Sequence, residues 1–248
     1  MRELDCGNVE STYLSLQRFL DVNSKVVDEI INRFIHAITI DISFPNIGNI
    51  LEEYALTIPE ENIVYFYHFT KSLNPSKFET GLYPLNMIGE KLLKDLYLLV
   101  DDKCTENEWS SYIESFRNLR DCRYTSVVRF RESDDGPNGF LIKEFGLSRQ
   151  SNDVYYLENS EFIDDFISFM GSVGLYIHEK FHAISRSCIV KFMVHNLTME
   201  QLLSYIKEAF GYLAFKKTRK SIDYCNSAYW NCGVPISSSD IILVELLD

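Results

Sequence analysis

The sequence predicts an α+β fold with a mixed or antiparallel sheet, an N-terminal helical segment and a helical insertion. Short apolar strands alternate with amphipathic helices, and several strands are neighbours in sequence, which is more typical of α+β proteins than of a doubly wound parallel sheet. The sequence also lacks GxGxxG and GxxxxGK[ST], the loops that bind phosphates in doubly wound proteins.

The N-terminal part of the chain, residues 9–57, is patterned as helix. Apolar residues that recur every three or four positions share one helix face, and they are Val26, Val27, Ile30, Ile31, Phe34, Ile35 and Ile38. Pro45 and Gly48 interrupt this pattern. We therefore assign residues 1–58 to an N-terminal helical segment and residues 59–248 to a second domain, with a helical insertion at 87–121.

The second domain mixes strand and helix patterns. Apolar or β-branched runs predict strands at Ile63–Phe69, Asp153–Leu157, Cys188–Val194, Ala228–Cys232 and Ile241–Leu246. A β-hairpin is expected where Tyr124–Arg131 and Phe140–Phe145 flank the turn residues DDGPNG. Helices are expected from Pro75 to Gly81, over 87–120, and at Glu161–Tyr176 and Thr198–Leu213, where Thr198 and Gln201 form a capping box.

The overall charge argues against a nucleic-acid or membrane-surface partner. The 248 residues carry a net charge of −12, whereas proteins that bind polyanions present a basic face. Two local basic runs stand out, the five arginines between Arg117 and Arg131 and the KKTRK run at Lys216–Lys220. Each is either a solvated face or a pocket for a phosphate-bearing ligand, because guanidinium groups suit phosphate oxygens.

The six cysteines, the N-terminus and the hydropathy pattern favour a reduced, cytoplasmic protein. The sequence has no CxxC pair, no zinc-finger spacing, no signal-peptide core and no run of 18 apolar residues. A protein delivered into a host or target cell would share these features. Cys188 lies in an apolar strand and is expected to be an inert core residue.

One short motif has the residue pattern of a zinc site but not the surrounding sequence that such a site requires. His178, Glu179 and His182 spell HExxH, in which two histidines bind zinc and the glutamate is the general base. The apolar strand at Cys188 follows so closely that the helix must end soon after His182, and Lys180 places a cation within the motif. We rank a zinc peptidase last among the functions considered and predict no metal.

The most informative stretch is IVYFYHFTKSLNPSKFETGL at residues 63–82, an apolar strand that is expected to end at a histidine and a threonine. The order strand, His68-x-Thr70, short helix, Gly-Leu resembles the first motif of the ADP-ribosyltransferase superfamily, in its His-Tyr-Glu branch. Two further segments resemble the same branch, residues 152–166 around Tyr155 and residues 226–246, where Val-Pro-Ile is followed by an apolar strand.

The resemblance implies specific roles. His68 and Thr70 would hold the adenosine ribose of NAD, and Tyr155, with Tyr156 beside it, would bind and stack on nicotinamide. A flat aromatic ring suits a pyridinium cation. His68 and Tyr155 would then be the catalytic pair, and the reaction would transfer ADP-ribose from NAD, its substrate, to a protein or nucleic-acid target of a toxin, effector or phage-defence system.

The third family residue, a glutamate, has no match in this register. Its position falls near Asn226, Ser227 or Ala228, with Asp223 upstream and Glu245 too far along the last strand. An alternative therefore stays open: a protein that binds a nucleotide without catalysis, or an acidic partner that neutralises a basic toxin.

Overall fold

The computed structural model describes residues 2–40, 43–119, 126–127, 130, 136–147, 156–158, 160–219, 228–230 and 233–247. Over these residues the fold is α+β with a mixed sheet, as predicted. The chain divides into two compact units. The first consists of Met1–Tyr67, Gly139–Asp153 and Lys191–Tyr229, and the second of His68–Asn138, Val154–Val190 and Trp230–Asp248.

Four of the helices in the first unit carry its apolar core. They are α1 (Val9–Leu20), α2 (Ser24–Ile40), α3 (Ile47–Glu53) and α9 (Met199–Thr218). The N-terminal helices confirm the helical pattern read from residues 9–57. Gly48 lies inside α3 instead of ending it, because the helix begins only after Pro45, with Asn46 as its N-cap. The face of α2 that the periodicity predicted is buried, including Ile30, Ile31 and Phe34.

Helix α9 is longer than predicted and is buried around most of its circumference. It begins at the capping box of Thr198 and Gln201, as expected, and continues to Thr218. A helix that is apolar on nearly all sides has to be surrounded by other elements. Phe210 accordingly packs against Phe34 of α2, with 5.7 Å between the ring centroids.

The described strands of the main sheet follow the order β6-β4-β2-β5-β8, and β1 pairs in parallel with β2. Their bounds are β1 (Arg2–Leu4), β2 (Asn62–Ser72), β4 (Asn138–Phe140), β5 (Arg186–His195), β6 (Ala228–Trp230) and β8 (Ile241–Leu247). A smaller sheet pairs β3 (Gly81–Leu82) with β7 (Ile236–Ser237). Strand β2 is central and largely buried on both faces, which explains its continuous apolar sequence. Pattern analysis missed β1, because three residues are too short to show a period.

The second unit is built around a cluster of aromatic side chains. Its helices include α4 (Leu85–Tyr97), α5 (Glu106–Arg117), α7 (Glu161–Phe169) and α8 (Ser172–Ile184). The first two confirm the helical pattern read over 87–120. The single helix predicted at Glu161–Tyr176 is in fact two, separated at Gly171, whose φ of 60° leaves the helical region.

The predicted β-hairpin is wrong. Ser126, Val127 and Phe130 are helical, and the rest of the run Tyr124–Arg131 lies outside the described residues. Residues 138–140 form β4, which pairs with β2 through Tyr67 and Phe140, and helix α6 (Lys143–Leu147) follows. The aromatic cluster buries both Val127 and Phe130, which are three positions apart. Residues at this spacing share a face in a helix but not in a strand, which explains why this segment is helical.

Candidate functional site

Strand β2 positions His68, although not at a strand tip. The expectation that the strand ends at the histidine and threonine is wrong, because β2 continues to Ser72. Alternation along the strand places His68 and Thr70 on one face and Lys71 on the other. Both His68 and Thr70 are half-buried. His68 is therefore held within a strand, where the backbone ladder restricts its movement.

The hydrogen bond of His68 to the backbone determines its tautomer. Nδ1 lies 2.8 Å from the carbonyl oxygen of Asn138, which can only accept, so Nδ1 carries the proton. In the neutral ring Nε2 is then a hydrogen-bond acceptor. The ring of Phe78 lies edge-on to the imidazole, 6.5 Å away between centroids.

The segment that follows His68 pairs with a segment near the C-terminus. The predicted short helix is a 3₁₀ helix at Pro75–Thr80, and β3 follows it directly. Gly81 lies opposite Ser237, and Leu82 opposite Ile236. Gly81 has a φ of 126°, and a Cβ there would lie 2.6 Å from the carbonyl oxygen of Ile236, so only glycine fits this turn and close approach.

Sequence reasoning missed one carboxylate beside this pairing. Asp240 ends the 3₁₀ turn Ser238–Asp240, which lies against β3 and the 3₁₀ helix Pro75–Thr80. The strand β8 begins at the next residue. The available signal was an acidic residue between a serine-rich turn and a strongly apolar strand.

The other predicted site residues are only partly described. Tyr155 lies outside the described residues, and so do Asp223, Asn226 and Ser227. Tyr156 is half-buried in a turn, so the predicted strand Asp153–Leu157 is wrong at Tyr156 and Leu157. Glu245 lies in the middle of β8.

The HExxH residues lie on α8, and the helix ends at Ile184, two residues after His182, as predicted. His178 and His182 have ring centroids 4.2 Å apart, but Lys71 Nζ donates to His182 Nδ1 at 3.0 Å. Since an ammonium group can only donate, Lys71 uses the lone pair of Nδ1, and that nitrogen is not available as a metal ligand. Over the described part of the chain, no group of three His, Cys, Asp or Glu side chains is placed to hold a metal ion.

The lysine contact also affects the protonation of His182. Burial lowers the pKa of His182 from its ordinary value, and repulsion from nearby Lys71 and His178 lowers it further, whereas Glu158 acts in the opposite direction. Because the folded-state pKa is depressed, the unfolded chain takes up this proton first as the pH falls. Protonation of His182 therefore reduces stability as the pH falls below about 6.5, the ordinary value for histidine.

We expect Lys71→Met to raise the pKa of His182, because the substitution removes a cation that opposes its protonation. The measurement is an NMR titration of the His182 ring protons in the variant and the unmodified protein. Lys94→Met, which changes an exposed lysine of α4, should leave the midpoint unchanged. A midpoint that stays in place or falls in Lys71→Met would show that Lys71 does not control this histidine.

The described cysteines are poor nucleophiles. Cys6, Cys104 and Cys188 are free and buried. Burial raises the pKa of the Cys188 thiol to about 11, although Lys77 acts in the opposite direction, and burial raises the pKa of Cys6 and Cys104 as well. Since the thiolate is the reactive form, these residues are core side chains. This agrees with the expectation for Cys188.

Comparison with known proteins adds no relative: no protein-family model, curated protein or solved structure matches this chain. A bilayer-spanning helix would need about 20 apolar residues, and none of the helices in the described ranges is long and apolar enough to cross a membrane.

Proposed function

We propose that this protein binds NAD through His68 and transfers its ADP-ribose group to a macromolecular target. The antiparallel pairing of β3 with β7 carries the proposal. It joins two of the three segments that resemble the ADP-ribosyltransferase superfamily, and these segments are far apart in the chain. Their association supports a common site, because two segments that are more than 150 positions apart in the chain form backbone hydrogen-bonded strands only by pairing with each other.

The hydrogen bond of His68 supports this proposed role. With Nδ1–H donated to Asn138, Nε2 accepts from a ribose hydroxyl, and the strand holds the ring in place. Thr70, on the same face of β2, contributes a hydroxyl that can both donate and accept. Tyr155 completes the site in the resemblance by stacking on the nicotinamide ring.

The reaction breaks the bond between nicotinamide and C1′ of the ribose and forms a bond from C1′ to an oxygen or nitrogen of the acceptor. Nicotinamide leaves with the bonding electrons, and the acceptor loses a proton. Positive charge develops at C1′ in the transition state, so a nearby carboxylate lowers the barrier. We assign this carboxylate to Asp240, because its turn lies against the segment that follows His68.

The test is labelling of a cell lysate by the purified protein with biotinylated NAD, together with calorimetric titration of NAD. We expect the unmodified protein to bind and to label. His68→Ala should lose both, because it removes the ribose contact, whereas Asp240→Asn should keep binding and lose labelling by about a hundredfold, as is typical for one electrostatic group. His36→Ala, an exposed histidine on α2, is the matched control.

A protein that binds NAD without transferring ADP-ribose is the second candidate. The observation that favours it is the absence of an acidic residue at Asn226–Ala228, where the resemblance places the glutamate. Under this candidate NAD raises the melting temperature, His68→Ala abolishes the shift, and no labelling appears. If NAD neither shifts the melting temperature nor labels a target, both candidates are wrong.

A further inference from the structure

The first unit contains a cleft that is separate from the proposed NAD site. It has a volume of about 590 Å³ and lies between α1, α2 and the C-terminal end of α9. Pockets for small molecules usually measure several hundred Å³ and are largely apolar with a few polar groups. The size of this cleft is therefore that of a ligand site.

One side of the cleft is apolar. Ile31 and Leu213 form its buried part, with 0% and 3% exposure, and Val9 lies at the opening with 42% exposure. Tyr13 adds an aromatic face, and its hydroxyl donates to the carbonyl oxygen of Ser24 at 3.2 Å, which orients the ring. An apolar or aromatic body can be buried against this wall.

The other side is basic and comes from the KKTRK run singled out in the sequence. Lys216, Lys217 and Arg219 line the cleft. Lys217 pairs with Asp28 at 2.9 Å, and Lys216 pairs with Glu144, so these two charges are already balanced. The guanidinium of Arg219 forms no ion pair with any residue that the structure describes. It is therefore the positive charge of the cleft that is available to bind an anion.

The backbone holds Arg219 at this position. It caps α9 in the left-handed conformation, with a φ of 56°, and its N–H is donated to the carbonyl oxygens of Lys216 and Phe215. The side chain therefore starts from a fixed point at the rim of the cleft. A guanidinium presents paired N–H donors that match two oxygens of one phosphate group.

We propose that this cleft binds a small organic phosphate, with the phosphate on Arg219 and an apolar or aromatic body against Val9, Tyr13, Ile31 and Leu213. The acidic net charge of the chain opposes polyanions but not a ligand with one anionic group. The apolar body of the ligand is either a nucleoside or an alkyl chain, and in both cases the group that Arg219 binds is a phosphate monoester. The site lies in the first unit and is independent of the proposed role of His68.

The test is calorimetric titration of the full chain with AMP, dodecyl phosphate and inorganic phosphate. We expect AMP or dodecyl phosphate to bind with a dissociation constant below about 1 mM, and inorganic phosphate to bind more weakly because it lacks the body. Arg219→Glu should weaken binding by about tenfold or more through charge reversal. Arg186→Glu makes the same charge change at an exposed position of β5 and should leave the affinity for the organic phosphates unchanged.

A second pair of variants tests the cleft without altering charge. Val9→Trp should abolish binding by filling the opening, whereas Leu14→Trp, also on α1 but outside the cleft lining and 38% exposed, should preserve it. His68→Ala should also preserve it, which separates this site from NAD binding. Failure of both organic phosphates to bind, or binding that is indifferent to Arg219→Glu and Val9→Trp, overturns the proposal.

Discussion

Gly174→Ala is expected to destabilise the protein by about 3 kcal/mol, because the added methyl group has no room. A Cβ at Gly174 would lie 1.9 Å from the backbone carbonyl oxygen of Ile167. This oxygen belongs to α7, so α7 and α8 must separate to admit the side chain, and the packing between them is lost. Alanine gains about 1 kcal/mol in helix propensity, which is too little to offset the loss. Urea denaturation followed by circular dichroism measures the difference.

Gly171→Ala is the comparison that isolates this effect. A Cβ at Gly171 meets nothing within 4 Å, but the φ of 60° is unfavourable for a residue with a side chain. Since its ψ is −121°, Gly171 lies outside the left-handed helical well in a region that favours glycine, and we expect a loss of about 1–2 kcal/mol from backbone strain alone. Equal losses for the two variants would mean that the close approach of α7 and α8 is not the reason for Gly174.

Phe166→Ala is expected to cost about 4 kcal/mol, through lost burial and the cavity that it leaves. Phe166 is 0% exposed and lies edge-on to two other rings, Trp109 at 5.3 Å and Phe116 at 5.1 Å between centroids. These aromatic contacts add to the area buried. Denaturation followed by tryptophan fluorescence measures the loss, because the signal includes Trp109 together with Trp230, the second tryptophan of the chain.

Phe169→Ala is the matched control on the same helix. Phe169 also contacts Phe116, at 5.5 Å between ring centroids, but it is only partly buried. Truncation there leaves a space that solvent can enter, and we expect less than half the loss seen for Phe166→Ala. A loss at Phe169 as large as at Phe166 would contradict this assignment of the core.

Local signals accounted for much of the fold. The capping box at Thr198 and Gln201 marked the start of α9, because its hydrogen bonds involve only neighbouring residues. Strand β5 and the helices α4 and α5 also lie where periodicity predicted them, since each buries a continuous apolar stripe or run. In these cases the residues that determine the structure lie within the element itself.

The errors arose where distant residues determine the local structure. The run that contains Val127 and Phe130 has the residue pattern of a strand. In the structure both side chains are buried in the same aromatic cluster, and a spacing of three positions puts them on one face only in a helix. Strand β2 extends to Ser72, beyond the apolar run, and β1 consists of only three residues. Strand length depends on the partners available for backbone hydrogen bonds, which no single segment reveals.

The same distinction between local and distant residues applies to the candidate site. The sequence pointed to His68 and Thr70 because they follow an apolar run and match the order of residues in the motif that the chain resembles. It did not reveal that Asn138 fixes the tautomer of His68, or that the turn bearing Asp240 lies against the segment that follows it. Both facts depend on contacts between residues about 70 or more positions apart.

The sequence by itself determined the α+β class, most of the helices and the chemistry-bearing residues of β2, since these follow from short-range periodicity and residue type. The tertiary structure decided that β3 pairs with β7, that Lys71 hydrogen-bonds to His182, and that Lys216, Lys217 and Arg219 border an apolar cleft. The physical reason is that pairing, side-chain neighbours and cavities are properties of segments brought together by burial, and the pattern within one segment cannot specify its partner.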